Sequence, residues 1–184
     1  MHFLNYWIMY KYYSGIGSRH APYASLRIMT HIARDLERDG YTLRSGNASG
    51  ADDFFARGVS KHAQIWLPWE NYNLEYQEER PSHDYRSISN DDREAFDSVN
   101  YFHPNGPNLR EPVRKLMARN YRVMVGMGGE NSKFVICWTP DGKDVGGTSE
   151  AIRIAKHYDI PVFNLFNMTK ADVFGEIEKL NLIY

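Results

Sequence analysis

Apolar positions along this chain alternate between two periods. Residues 10–14, 41–45 and 63–69 are short runs rich in aromatic and β-branched side chains, and the third, AQIWLPW, is almost continuously apolar, as a strand covered on both faces should be. Between these runs the spacing turns helical. Leu26, Met29, Ile32, Ala33 and Leu36 fall three and four apart within 22–39, which Gly40 closes, and Ala51, Phe54, Phe55 and Val59 share one face after the turn GNASGAD. The alternation resumes with helical spacing over 110–126 through Val113, Leu116, Met117 and Tyr121. It continues with a strand over 133–140, a helix over 146–159, a strand over 160–166 and a helix over 169–182 capped by Thr169. Strands that alternate with helices predict an α/β, Rossmann-like three-layer fold with a five-stranded, mainly parallel sheet and right-handed crossovers. In such a sheet the ligand crevice lies beyond the carboxyl ends of the strands, where the strand order reverses.

The pattern fails between 70 and 109, a polar stretch with one helix candidate around 91–99. It reads as a functional loop or lid inserted into a single domain spanning 1–184.

Glycine and small polar residues gather at three strand-to-helix junctions, 15–19, 46–52 and 146–150. Glycine permits close backbone approach, and the helix that follows offers unpaired N–H groups and the positive end of its dipole, so each junction reads as an anion cradle. The first comprises Gly15, Gly17, Ser18 and Arg19, with Arg19 placed to clamp a phosphate or, alternatively, to pair with an acid of the insertion. The second comprises Ser45, Gly46, Asn47, Gly50 and Asp52, and Ser49 with Asp52 also matches a loose capping box. The third holds Gly146, Gly147, Thr148 as an N-cap and Glu150 in the first helical turn. Trp138 and Thr139 end a strand at the same crevice, where the indole would stack on a base or simply fill the core. His20, beside Arg19, is the one histidine placed near the ligand.

Composition narrows the chemistry. Lys and Arg total 22 against 23 acidic residues, a formal net charge of −1, which exerts no global pull toward a polyphosphate and sets nucleic acid behind small molecules as a partner. The single cysteine, Cys137, excludes an internal disulfide, argues against a cysteine metal site and fits a reducing cytoplasm. Seven histidines show no H-x-x-x-H or H-E-x-x-H pair, so neither a metal nor another cofactor is expected. The opening MHFLNYWIMYKYY lacks the basic start and cleavage site of a signal peptide and is too short to span a membrane. It reads as a lead-in to the first strand or as an oligomer contact.

Taken together, SGIGSR, LRSGNASGAD, ICWTPDGKDVGGTSEAIRIA and IPVFNL resemble the SLOG superfamily. This Rossmann-like group contains the DNA-processing protein DprA/Smf, the LOG phosphoribohydrolases and nucleotide-sensing domains of antiphage systems, and the pattern is most similar to small stand-alone SLOG proteins of phage type. The resemblance covers 10–166. It implies a nucleotide or nucleotide-derived ligand, ADP-ribose-like or cyclic, over Gly17, Ser18, Arg19, Ser45, Gly46, Gly50, Asp52, Gly146, Gly147, Thr148 and Glu150, with Arg119 and Asn120 as further contacts. The function expected from it is binding of such a signal by a homo-oligomer, an anti-defence role if the gene is viral. The alternative is LOG-like N-glycosidase activity with Glu150 and Asp52 as the catalytic acids, although Val145 stands where the LOG signature has proline and Glu150 follows Thr148 by two residues rather than three. The third reading is DprA-like binding of single-stranded DNA, for which RNYR (119–122) offers cations beside an aromatic ring.

Overall fold

The computed structural model describes residues 11–181. Residues 1–10 of the aromatic lead-in read as an oligomer contact lie outside them, as does residue 182 of the last helix, while residues 11–13 of that lead-in form part of β1. The chain runs β1 (Lys11–Gly15), α1 (Tyr23–Arg38), β2 (Tyr41–Ser45), α2 (Ala51–Arg57), β3 (Ala63–Leu67), α3 (Leu74–Glu79), β4 (Asp84–Ser87), α4 (Arg93–Phe102), α5 (Glu111–Val125), β5 (Val135–Cys137), α6 (Thr148–His157), β6 (Val162–Asn164) and α7 (Lys170–Asn181).

Six parallel strands form one sheet in the order β4-β3-β2-β1-β5-β6. The chain therefore builds outward from β1 in one direction, then returns to add β5 and β6 on its other side. The switch point lies between β1 and β5, where Ser14 pairs with Val135 and Gly15 with Ile136. This Rossmann-like α/β architecture is the one the sequence predicts, with one strand more. β4, with the sequence DYRS, lies mostly exposed at the sheet edge, so it shows no apolar alternation by which it would be recognised.

Each face of the sheet carries its own core. On one face Tyr13, Leu43 and Ile65 meet Met29, Ile32 and Leu36 of α1, Phe55 of α2 and Val173 of α7. The five apolar positions that define the period of α1 are its five buried residues. On the other face Val135 and Cys137 pack with Val99 of α4, Met124 of α5 and Ile154 of α6. Thr169 caps α7 as expected, its hydroxyl accepting from the Asp172 N–H at 3.2 Å while the Asp172 carboxylate accepts from the Thr169 N–H at 2.8 Å.

The stretch 70–109 is not a structureless lid. It supplies α3, β4 and α4, and it is bolted down by charge pairs. Arg80 bonds Asp53 of α2 at 2.8 Å. Arg122 of α5 is buried and reaches both oxygens of Asp92, at 2.8 and 2.5 Å, while Asp92 also caps α4 by accepting from the Ala95 N–H at 3.1 Å. Tyr121 donates to Glu94 at 2.7 Å. The residues of RNYR are thus largely consumed by internal packing, and this segment does not offer the stacking surface expected of it.

Arg122→Met is expected to lower stability by about 2–3 kcal/mol in urea unfolding, because the largely covered Asp92 carboxylate loses its partner while Asp92 still caps α4. Pairing it with Asp92→Asn should restore part of that loss; a double variant as unstable as the sum of the two singles would show that the pair is not coupled.

Candidate functional site

Two glycines bring the β1 and β2 exits together at the switch point. Gly17 has φ +153°, and a Cβ there would stand 2.8 Å from the Trp138 carbonyl oxygen and 2.9 Å from the Ala51 methyl. Gly50, at φ +80°, would place one 2.6 Å from the Cα of Arg19. A side chain at either position would push the loops apart.

Arg119 enters from α5 and lays its guanidinium over Gly46. It donates to the Gly46 carbonyl and pairs with Asp52 at 3.4 Å. Asp52 also accepts from the Ala48 N–H at 3.3 Å; burial raises its carboxyl above the usual range, and Arg119 opposes that rise. The Ser49–Asp52 capping box is therefore not formed, and Gly50 is the N-cap of α2. Amides of the first two junctions are largely engaged inside the protein, since Ser18 N–H donates to Trp138 O at 3.1 Å and Ala51 N–H to Ser18 O at 3.3 Å.

Above this floor opens a cleft of about 430 Å³. Of the residues singled out from sequence it gathers Gly17, Ser18 and Arg19 from the first junction and Gly46 and Asp52 from the second. Gly146, Gly147 and Thr148 join them from the third, with Arg119 and Asn120 from α5 and His20 beside Arg19. Leu116 and Met117 add an apolar wall. Gly147 rather than Thr148 is the N-cap of α6, so Thr148 begins the helix.

Seven expected residues do not line the cleft. Gly15 is packed against Phe55 and Leu43, where a Cβ would stand 2.6 Å from the Phe55 ring. Ser45 is buried and donates to the Gly15 carbonyl at 2.7 Å, tying β2 to β1. Asn47, in the left-handed region at φ +60°, donates to the Tyr72 carbonyl at 2.8 Å and thereby anchors the insertion. Gly50 faces Arg19, as described. Trp138 is a core residue tilted against Phe166 at 6.2 Å, and the Thr139 hydroxyl accepts from the Asn164 amide at 2.6 Å. Glu150 is 1% exposed, accepts from Asn120 Nδ2 at 3.3 Å, and is pushed by burial up to about 7, with Asn120, Arg153 and Arg119 opposing.

The insertion and the residue before it supply what sequence reasoning missed. Arg19 is exposed and donates to the Tyr72 hydroxyl at 3.4 Å; among the described residues it forms no ion pair, so the expected link to an acid of the insertion is absent. Trp69, more than a third exposed, meets the Tyr72 ring edge-on at 5.2 Å. The asparagines of NYN were the available signal, because Asn73 too is left-handed, at φ +47°, and exchanges bonds with Asn47. Among the described residues no three His, Cys, Asp or Glu side chains gather as a metal site, and no helix is long and apolar enough to cross a membrane.

The fold and cleft define a Rossmann-like α/β protein with its crevice at the β1/β5 switch point. No protein-family model matches the chain, and no curated protein matches it. Among solved structures it is similar to DNA processing protein A from Helicobacter pylori, a study of its single-stranded DNA binding mode, with TM-score 0.60 and 20% identity over 91% of this chain and 72% of that one. That likeness establishes a DprA-like fold. It overturns the ordering of partners drawn from the sequence. The neighbour is described by its binding of single-stranded DNA, against the expectation of a nucleotide-derived signal with nucleic acid set behind it and LOG-like hydrolysis as the alternative.

Gly46→Ala is expected to lower stability by about 1–3 kcal/mol in urea unfolding, since its methyl would occupy the position of the Arg119 guanidinium. An unchanged unfolding midpoint would show that Arg119 does not rest there.

Proposed function

We propose that the cleft binds single-stranded nucleic acid, with DNA as the strand. The observation that carries this reading is the arrangement around Arg19 at the edge of the cleft. Its exposed guanidinium forms no ion pair among the described residues and donates to the Tyr72 hydroxyl, and Tyr72 in turn meets Trp69, which is exposed on the neighbouring surface. A cation for the backbone beside aromatic faces for the bases is the combination by which single-strand binders work. Inside the cleft, the first turn of α6 presents N–H groups that have no partner within the helix, a second place for a phosphate on the same strand. The DprA-like fold supports the same reading, because the neighbour is described as binding such a strand.

Net charge does not oppose it. A sum of −1 does not fix where charge lies, and Arg19 stands at the cleft with no ion pair among the described residues.

Fluorescence anisotropy with labelled oligodeoxythymidine tests the proposal. Affinity should fall linearly with log salt, with a slope of about −0.7 for each phosphate neutralised. Arg19→Ala should weaken binding and reduce that slope by about one contact, whereas Trp69→Ala should cost about 1–3 kcal/mol and leave the slope unchanged. Failure of the wild-type chain to bind the oligonucleotide at low salt would refute the proposal.

A further inference from the structure

A carboxyl with unmet hydrogen-bonding capacity is buried behind the cleft wall. Glu150 stands in the first turn of α6; its Oε2 accepts from Asn120 Nδ2 at 3.3 Å, and its Oε1 is buried without a hydrogen-bond partner among the described residues. Asn120 lines the cleft and also reaches the Gly147 carbonyl at 3.4 Å, and Gly147 and Thr148 line it as well. One side chain and one helical turn therefore connect the carboxyl to the cleft.

The cations that act on Glu150 are Arg153 of its own helix and Arg119 of α5. Both are engaged elsewhere. Arg153 donates to the Phe102 carbonyl at 2.8 Å and the Ser149 hydroxyl at 3.2 Å, and Arg119 holds Gly46 and Asp52. The remaining elements packed on α6, α4 and β6, contribute no titratable group to the interactions that shift it. Burial accordingly brings its titration up to about 7, where the balance between the two forms is readily tipped. In the neutral form one oxygen still accepts from Asn120 and the other carries a donor proton. A phosphate seated at the 146–148 turn adds a negative charge over the same turn and displaces water, which disfavours the carboxylate.

We propose that Glu150 takes up a proton when the cleft holds a nucleic-acid phosphate, which makes strand binding weaken as pH rises. This inference rests on the single-strand reading of the cleft. One proton taken up on binding limits the effect to about tenfold in affinity per pH unit. Glu150 also leaves a mark on the free protein. Its folded titration point lies above the unfolded value of about 4.3, so the ionised form opposes folding: the penalty is absent below that value, grows as pH rises toward 7, and is constant above it.

The test follows the Glu150 side-chain carboxyl carbon by NMR in the full chain, with and without saturating oligodeoxythymidine, together with binding from pH 6 to 8.5 at fixed salt for the wild type and Glu150→Gln. The midpoint should move up by about one unit when the oligonucleotide binds. Wild-type affinity should fall about sevenfold across the range while Glu150→Gln stays flat, and the melting advantage of Glu150→Gln over wild type should grow from pH 5 to pH 8. A midpoint unmoved by bound oligonucleotide, or parallel pH profiles for the two proteins, would overturn the inference and leave the single-strand reading standing. No binding of oligonucleotide by either protein at pH 6 and low salt would overturn both.

Discussion

The contact on which the site depends is the Arg119 guanidinium lying over Gly46. A side chain at Gly46 would exclude it, and without it the buried Asp52 would lose its cation and the loop after β2 its link to α5. Because Asp52 offsets Arg119, the floor is polar but nearly neutral. Charge for recognition then falls to groups that the fold leaves unpaired, chiefly Arg19 at the rim. The close approaches at Gly17 and Gly50 serve the same end by locking the β1 and β2 exits against each other, so that Arg19 projects from a braced turn rather than a free loop.

Much of the fold was legible in the sequence because one-sided burial leaves a period. α1 declares its five core positions, and β3 its burial on both faces. β4 was not legible, since an exposed edge strand has no apolar face to display. Nor were the buried arginines of α5, because a sequence does not distinguish a cation paired in the interior from one in solvent. The three glycine junctions were visible and do converge, yet the role assigned to them was partly wrong. Gly17 and Gly50 admit neighbouring backbone instead of an anion, and Ser18 and Ala51 direct their N–H groups to protein carbonyls.

The ordering of partners failed for a related reason. A sum over all charges says nothing of where they lie: charges paired within the fold, as Asp53 and Asp92 are with arginines, cancel in it and leave the local balance at the cleft unstated. On the proposed reading, recognition rests on little local charge: one rim arginine and one helix N-terminus, with Trp69 at the end of the third strand run and Tyr72 of the insertion beside them. Such a site would rely on stacking as much as on charge.

The most direct measurement is amide NMR of the full chain titrated with a short oligodeoxythymidine. The largest shifts should fall on Arg19, Gly46, Trp69, Tyr72, Asn120, Gly147 and Thr148, which come from five separate stretches of sequence and are brought together only by the fold. Shifts confined to the outer faces of α4 and α7, with these residues unmoved, would contradict it.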